Sequence, residues 1–177
     1  IAWLAGEQWR LKVFRTHGKI YEASASQMFG VPIERITKGN PEYDLRQKGK
    51  VAELALGYGG SSGALKKMKA IEMGLKEEEL PDIVRRWRAA NLRITDLWQQ
   101  IENAALQVMR TGQQTAVNGL IFTREGDLLN GLDFLTVKLP SERKLYYVNP
   151  SIGENKWGRP ALTYMTSNPK WMRIDTY

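Results

Sequence analysis

The sequence predicts an α+β fold that is mostly helical, on three observations. RQKGKVAELALGYGG, at 46–60, keeps helical spacing and ends in glycines. Ile94, Leu97, Trp98, Ile101, Ala105, Val108 and Met109 recur at the same period. From Thr111 the character changes. Residues 115–123, 132–139, 144–148 and 160–166 read as short strands separated by EGD, PSER and NPSIGENKWGRP. The expected arrangement is a helical body followed by a small antiparallel β region.

Length and composition set the outer bounds. A chain of 177 residues, 42% apolar and with six tryptophans, can bury a real core and is not a disordered tail. Net charge is +7, with 9 basic against 6 acidic residues in 1–60, 9 against 7 in 61–110 and 8 against 6 in 111–177. No block or tail carries the excess. Such an even spread suits nucleic-acid binding along a shaped groove, and it fits many other basic proteins equally. The absence of cysteine excludes a disulfide framework and a thiolate metal site. No apolar run approaches 18 residues, so no transmembrane helix is expected and the expected location is cytoplasmic. The chain opens IAWLAGE without an initiator Met and stops at RIDTY, which reads as a piece of a longer protein.

In chain order, 2–14 reads as one helix with Trp3, Leu4, Trp9 and Val13 available for burial. Residues 20–29 form the next, ended by Gly30 and Pro32. KGNPEY at 38–43 is a turn, and Asp44 is placed to cap a helix that begins at Leu45. Around that helix Arg46, Lys50, Leu54 and Tyr58 advance by roughly 40° each, forming one slanting stripe of two cations, an aliphatic and an aromatic. Leu45, Ala52 and Leu56 form a small apolar face on the far side. The stripe fits a solvated basic surface helix, and it also fits a site for a polyphosphate that carries a flat base. Arg46 near a helix N-terminus opposes the macrodipole, which suggests an anion supplied from elsewhere.

Gly57, Gly59, Gly60 and Gly63 follow. The absence of G-K-[ST] and of a preceding strand argues against a Walker loop, and a joint that lets Tyr58 shift is expected instead. Residues 64–73 read as a short basic helix, and 76–79 as a charged turn whose glutamates are solvated. Helices follow at 82–90 and 95–110, with Trp87 and Trp98 in the core.

Several of these segments resemble family A DNA polymerases, the polymerase I type. Arg-x-x-x-Lys-x-x-x-(Phe/Tyr)-Gly-x-x-Tyr-Gly is the nucleotide-binding helix of their fingers. Arg46, Lys50, Tyr58 and Gly59 stand at its positions, while Leu54 replaces the aromatic and Ala55 the first glycine. KVAELALGYGG is similar to the version in phage and prophage relatives. KIYEASASQMFG resembles the segment whose third position, here Tyr21, lends a hydrogen bond to the triphosphate. Tyr21 reads equally as a partly buried helix tyrosine. AWLAGE resembles the segment that follows the strand bearing the first catalytic aspartate. ERKLYYVNP resembles the region where the chain returns from fingers to palm, making Arg143 and Lys144 DNA candidates, though two exposed cations on a hairpin are also ordinary surface.

The resemblance implies a division into 1–14, the end of a palm-derived segment, 15–112, helical fingers with the nucleotide-binding helix at 45–58, and 113–177, returning to the palm. Trp171–Tyr177 would lead into a palm helix. It implies that Arg46 neutralises the terminal phosphates of the incoming nucleotide and Lys50 the phosphate under attack. Leu54 would lie against sugar and base, and Tyr58 would stack with the template base beside Gly59. It implies primer–template DNA and dNTPs as partners. Mg²⁺ would be held by carboxylates outside this chain: the one histidine, His17, is followed by Gly18, so the His-Asp-Glu motif is absent. Apolar surface near Trp3 and Trp171 would favour self-association of the isolated piece. Two other readings remain open. One is a non-enzymatic nucleic-acid-binding module with Lys50, Lys66, Lys67 and the basic residues of 85–88 as a phosphate track and tryptophans as stacking platforms. The other is a basic helical protein-interaction domain.

Overall fold

The computed structural model describes residues 1–127, 131–165 and 172–174. It is an α+β protein in two compact units, Ile1–Asp96 and Leu97–Tyr177.

The first unit opens with α1 (Ala2–Ala5) and α2 (Gln8–Thr16) where one helix was expected. Gly6, at φ 71°, takes the left-handed conformation that glycine adopts without strain, and it ends α1. The break turns Trp3 outward, 67% exposed, so the expected burial of this side chain does not occur. Val13 is buried, and the half-buried Trp9 donates from Nε1 to the carbonyl of Ala90 at 2.9 Å.

α3 (Ile20–Phe29) has the expected bounds and ends in a left-handed Gly30. Its buried face, Ala23, Ser24, Ala25 and Met28, is built mainly of small residues. The partner surface on α4 (Leu45–Leu56) includes Gly49. A Cβ there would lie 2.2 Å from the Tyr21 carbonyl oxygen and 3.0 Å from the Ala25 nitrogen. The two backbones therefore touch at Gly49, one residue before Lys50 and three after Arg46. Glycine in mid-helix gives up about 1 kcal/mol against alanine in propensity. Here a methyl group would strike backbone that no rotamer change can move, so the steric term wins. Gly49→Ala is expected to lower stability by about 1–3 kcal/mol. An unchanged urea midpoint would show that α3 and α4 separate at no cost.

Asp44 does not cap α4. It lies inside a 3₁₀ turn, Pro41–Asp44, that runs into the helix, with helical φ of −62° and no side-chain cap bond. Proline occupies the first helical position, where its missing N–H costs nothing. Arg46 consequently sits beyond the first turn of the helical run, and the macrodipole argument loses its force. After α5 (Ser62–Lys67) the expected helix does not continue to 73. Lys69, at φ 60°, turns the chain out of it. α6 (Leu80–Ala90) begins with Pro81 in its first turn, and α7 (Leu92–Thr111) carries the predicted spacing, with Ile94, Leu97, Ala105 and Val108 buried.

A polar network ties α2, α4 and α6 together. Arg10 donates from both Nη atoms to the Glu53 carboxylate, at 2.7 and 2.6 Å, and from Nε to Asn91 Oδ1 at 2.6 Å. The Trp87 indole donates to the same carboxylate at 2.9 Å, and Asn91 Nδ2 returns to the Trp87 carbonyl at 2.7 Å. Trp87 is core, as expected, at 1% exposure.

The second unit holds a six-stranded antiparallel sheet in sequential order. The strands are β1 (Thr115–Val117), β2 (Leu120–Glu125), β3 (Phe134–Lys138), β4 (Lys144–Glu154), β5 (Pro160–Met165) and β6 (Met172–Ile174). The single strand expected at 115–123 is a hairpin. Asn118 at φ 46° and Gly119 at φ 83° make its two-residue turn, whose twist matches that of paired strands. The strand expected at 144–148 runs on to Glu154 through an irregularity between Val148 and Ser151, where Asn149 has φ 46°. Much of the proline- and glycine-rich loop is therefore strand. Leu120, Phe122, Leu135, Val137, Ala161 and Leu162 are among the buried apolar side chains of the sheet. Of Trp171–Tyr177, only the strand residues of β6 lie within the described part.

Candidate functional site

α4 buries Gly49, Val51, Ala52, Ala55 and Leu56, which leaves the predicted stripe facing outward. Arg46 and Lys50 are half-buried, Leu54 is 42% exposed, and Tyr58, just past the helix, is 92% exposed. Gly59 is buried at φ 80°, a conformation that favours glycine. At Gly60 a Cβ would meet the Ala55 carbonyl oxygen at 2.0 Å, so there glycine permits the chain to fold back against the end of α4.

The close α3–α4 approach brings Tyr21 to Arg46. The guanidinium carbon lies 5.5 Å from the Tyr21 ring centre and 6.0 Å from that of Tyr43. Arg46 Nε donates to Glu22 Oε1 at 2.7 Å. That hydrogen bond, with Coulombic help from the same carboxylate, holds the Arg46 pKa above its ordinary value. The anion beside Arg46 is thus a residue of the chain itself. Glu22 is not marked by any spacing rule, since it comes 24 positions before Arg46. Its one local sign is an acid in the first turn of α3 beside Tyr21.

Lys50 is in a different state. No hydrogen bond or ion pair engages its ammonium among the described residues, whereas Lys48, two positions earlier, pairs with Glu79 at 2.6 Å. A half-buried cation without a partner among the described residues, one helical turn from an arginine flanked by two tyrosine rings, is a place for an external anion that carries a flat group.

Arg143 and Lys144 belong to the second unit. Arg143 is exposed, its Nε 3.4 Å from Ser141 Oγ. Lys144 donates to Glu125 at 2.6 Å, and this raises its pKa. The alternative phosphate track is largely spoken for. Lys66 pairs with Glu77, Arg85 and Arg86 share Asp82, and Arg88 donates to the Gly60 carbonyl at 3.2 Å. Trp87 is too deeply buried to stack on a base. No group of three or more His, Asp or Glu among the described residues could hold a metal ion. No described helix is long and apolar enough to cross a membrane.

In sequence, the chain is similar to a phage DNA polymerase. A DNA polymerase of Bacillus phage SP02 is 51% identical to this chain over 181 aligned residues, covering all of the chain and 26% of that polymerase. The chain thus spans about a quarter of the length of the relative it matches. No family model matches it.

Proposed function

We propose that this chain is part of a family A DNA polymerase of phage type, and that α4 binds the incoming nucleotide. The observation that carries the reading is the stripe of Arg46, Lys50, Leu54 and Tyr58, with Tyr21 held against Arg46 and Lys50 left without an anion among the described residues. Identity of 51% over the whole chain to a phage DNA polymerase supports it. On this reading residues 1–14 end a palm segment, 15–112 are fingers and 113–177 return to the palm, in a cytoplasmic enzyme. Primer–template DNA and dNTPs are the partners, and Tyr58, Gly59, Arg143 and Lys144 approach DNA. Mg²⁺, when bound, would supply charge stabilisation at the reacting phosphate, and carboxylates outside this chain would hold it.

The residues divide the work. Arg46 binds the terminal phosphates, which carry full charge before and during reaction. Tyr21 donates its phenol to the same group. Lys50 faces the phosphate where charge develops, so its attraction grows toward the transition state. Leu54 packs on sugar and base, and Tyr58, exposed and unencumbered, stacks on the template base. Primer extension by the chain with its flanking segments restored tests the reading. A finer check lies at Leu54. A tyrosine there would offer a phenolic O–H where a dideoxy sugar lacks its own hydroxyl. Leu54→Tyr is expected to raise dideoxynucleotide use relative to deoxynucleotide by roughly five- to tenfold, the worth of one hydrogen bond. An unchanged ratio in competition assays would remove Leu54 from the sugar pocket.

A further inference from the structure

We infer that Glu22 is the positioning residue for Arg46: it fixes the guanidinium through Nε alone and leaves both Nη groups to grip the terminal phosphates of the nucleotide. The inference rests on the nucleotide-binding reading of α4 and adds a residue to it.

Three observations carry it. The contact is monodentate, Nε to Oε1 at 2.7 Å, and no hydrogen bond engages either Nη among the described residues. Two aromatic rings flank the guanidinium, at 5.5 and 6.0 Å, and restrain its plane. Glu22 is also committed to this arginine. Lys19 and Lys38 line the same pocket as Glu22 and Tyr43, yet neither pairs with the carboxylate. The side chains of the pair are 32% and 15% exposed, so the bond is only partly screened by solvent.

A guanidinium presents five N–H donors in a rigid fork. With Nε occupied, the four Nη hydrogens remain for two oxyanions in the bidentate manner that suits phosphate. A free arginine side chain would have to be ordered by the ligand at a cost in affinity, and Glu22 removes that cost in advance. Because terminal phosphates are bound equally before and during reaction, the effect belongs to ground-state binding and falls on KM.

The test uses the polymerase with its flanking segments, comparing wild type with Glu22→Ala, Glu22→Gln and Lys50→Ala in steady-state primer extension, together with primer–template affinity. Glu22→Ala is expected to raise KM for dNTP by about tenfold while kcat changes by less than about twofold and DNA affinity holds. Glu22→Gln keeps an acceptor for Nε and is expected to recover KM to within about threefold of wild type. An unchanged or lowered KM in Glu22→Ala overturns the inference. So does an equal loss of kcat, KM and DNA affinity in both Glu22 variants, which marks a purely structural residue. If Lys50→Ala is as fast as wild type, the nucleotide reading of α4 itself falls. If Lys50→Ala is slow and the Glu22 variants are normal, that reading stands and this inference alone is lost.

Discussion

Glu53→Ala is expected to destabilise the helical unit by about 3–5 kcal/mol, the range for removing one side of a buried ion pair. The Arg10 and Glu53 side chains are only 7% and 10% exposed. Truncating Glu53 takes two charged hydrogen bonds from Arg10 and the acceptor from the Trp87 indole. Asn91 still accepts from Arg10 Nε but carries no charge, so the guanidinium is left buried without a counter-ion. Its desolvation, rather than the lost Coulomb energy, sets the size of the effect. Whole domains are stable by only about 5–15 kcal/mol, so the variant would be marginal. Urea unfolding followed by circular dichroism measures it. The paired change Arg10→Met with Glu53→Leu should cost far less, because neither charge is then stranded. A loss below about 1 kcal/mol in Glu53→Ala would mean that water reaches Arg10.

This network explains what the sequence could and could not disclose. α3 was legible because Gly18 and Gly30 bound it, and α4 and α7 because apolar residues recur at the helical period. The stripe on α4 was legible for the same reason. The Glu53–Arg10 and Glu22–Arg46 pairs were not, since their members lie 43 and 24 positions apart and no periodic rule links them. The anion expected at Arg46 rested on a helix start that lies earlier in the chain, and the sequence could not tell a ligand from a glutamate on the neighbouring helix. At 1–16 the helical pattern held while Gly6 broke the chain, so the pattern survived and Trp3 pointed to the wrong side. β4 was foreshortened because Asn149 and Pro150 read as a turn, whereas an irregular ladder absorbs both.

The functional readings part most sharply at Lys50. In the polymerase reading its ammonium is matched to charge that appears only as the phosphate is attacked. Removing it should therefore lower kcat by about 10²–10³-fold, the scale for losing one preorganised partner of a developing charge, with a much smaller change in KM. Lys50 makes no ion pair among the described residues, so Lys50→Ala strands no described carboxylate and should leave the fold intact. That separates it from Arg46→Ala, which frees Glu22 and would mix an electrostatic penalty with the loss of a phosphate contact. Single-turnover primer extension by the chain with its flanking segments restored is the measurement. The 177-residue chain alone is expected to be inert beside it. A Lys50→Ala enzyme that extends primers at the wild-type rate would reduce the α4 stripe to a solvated surface. A restored protein that binds DNA with ordinary salt dependence yet never extends a primer would favour the binding module. That outcome would still have to explain why Lys66, Arg85 and Arg86 are held by acids of the same chain.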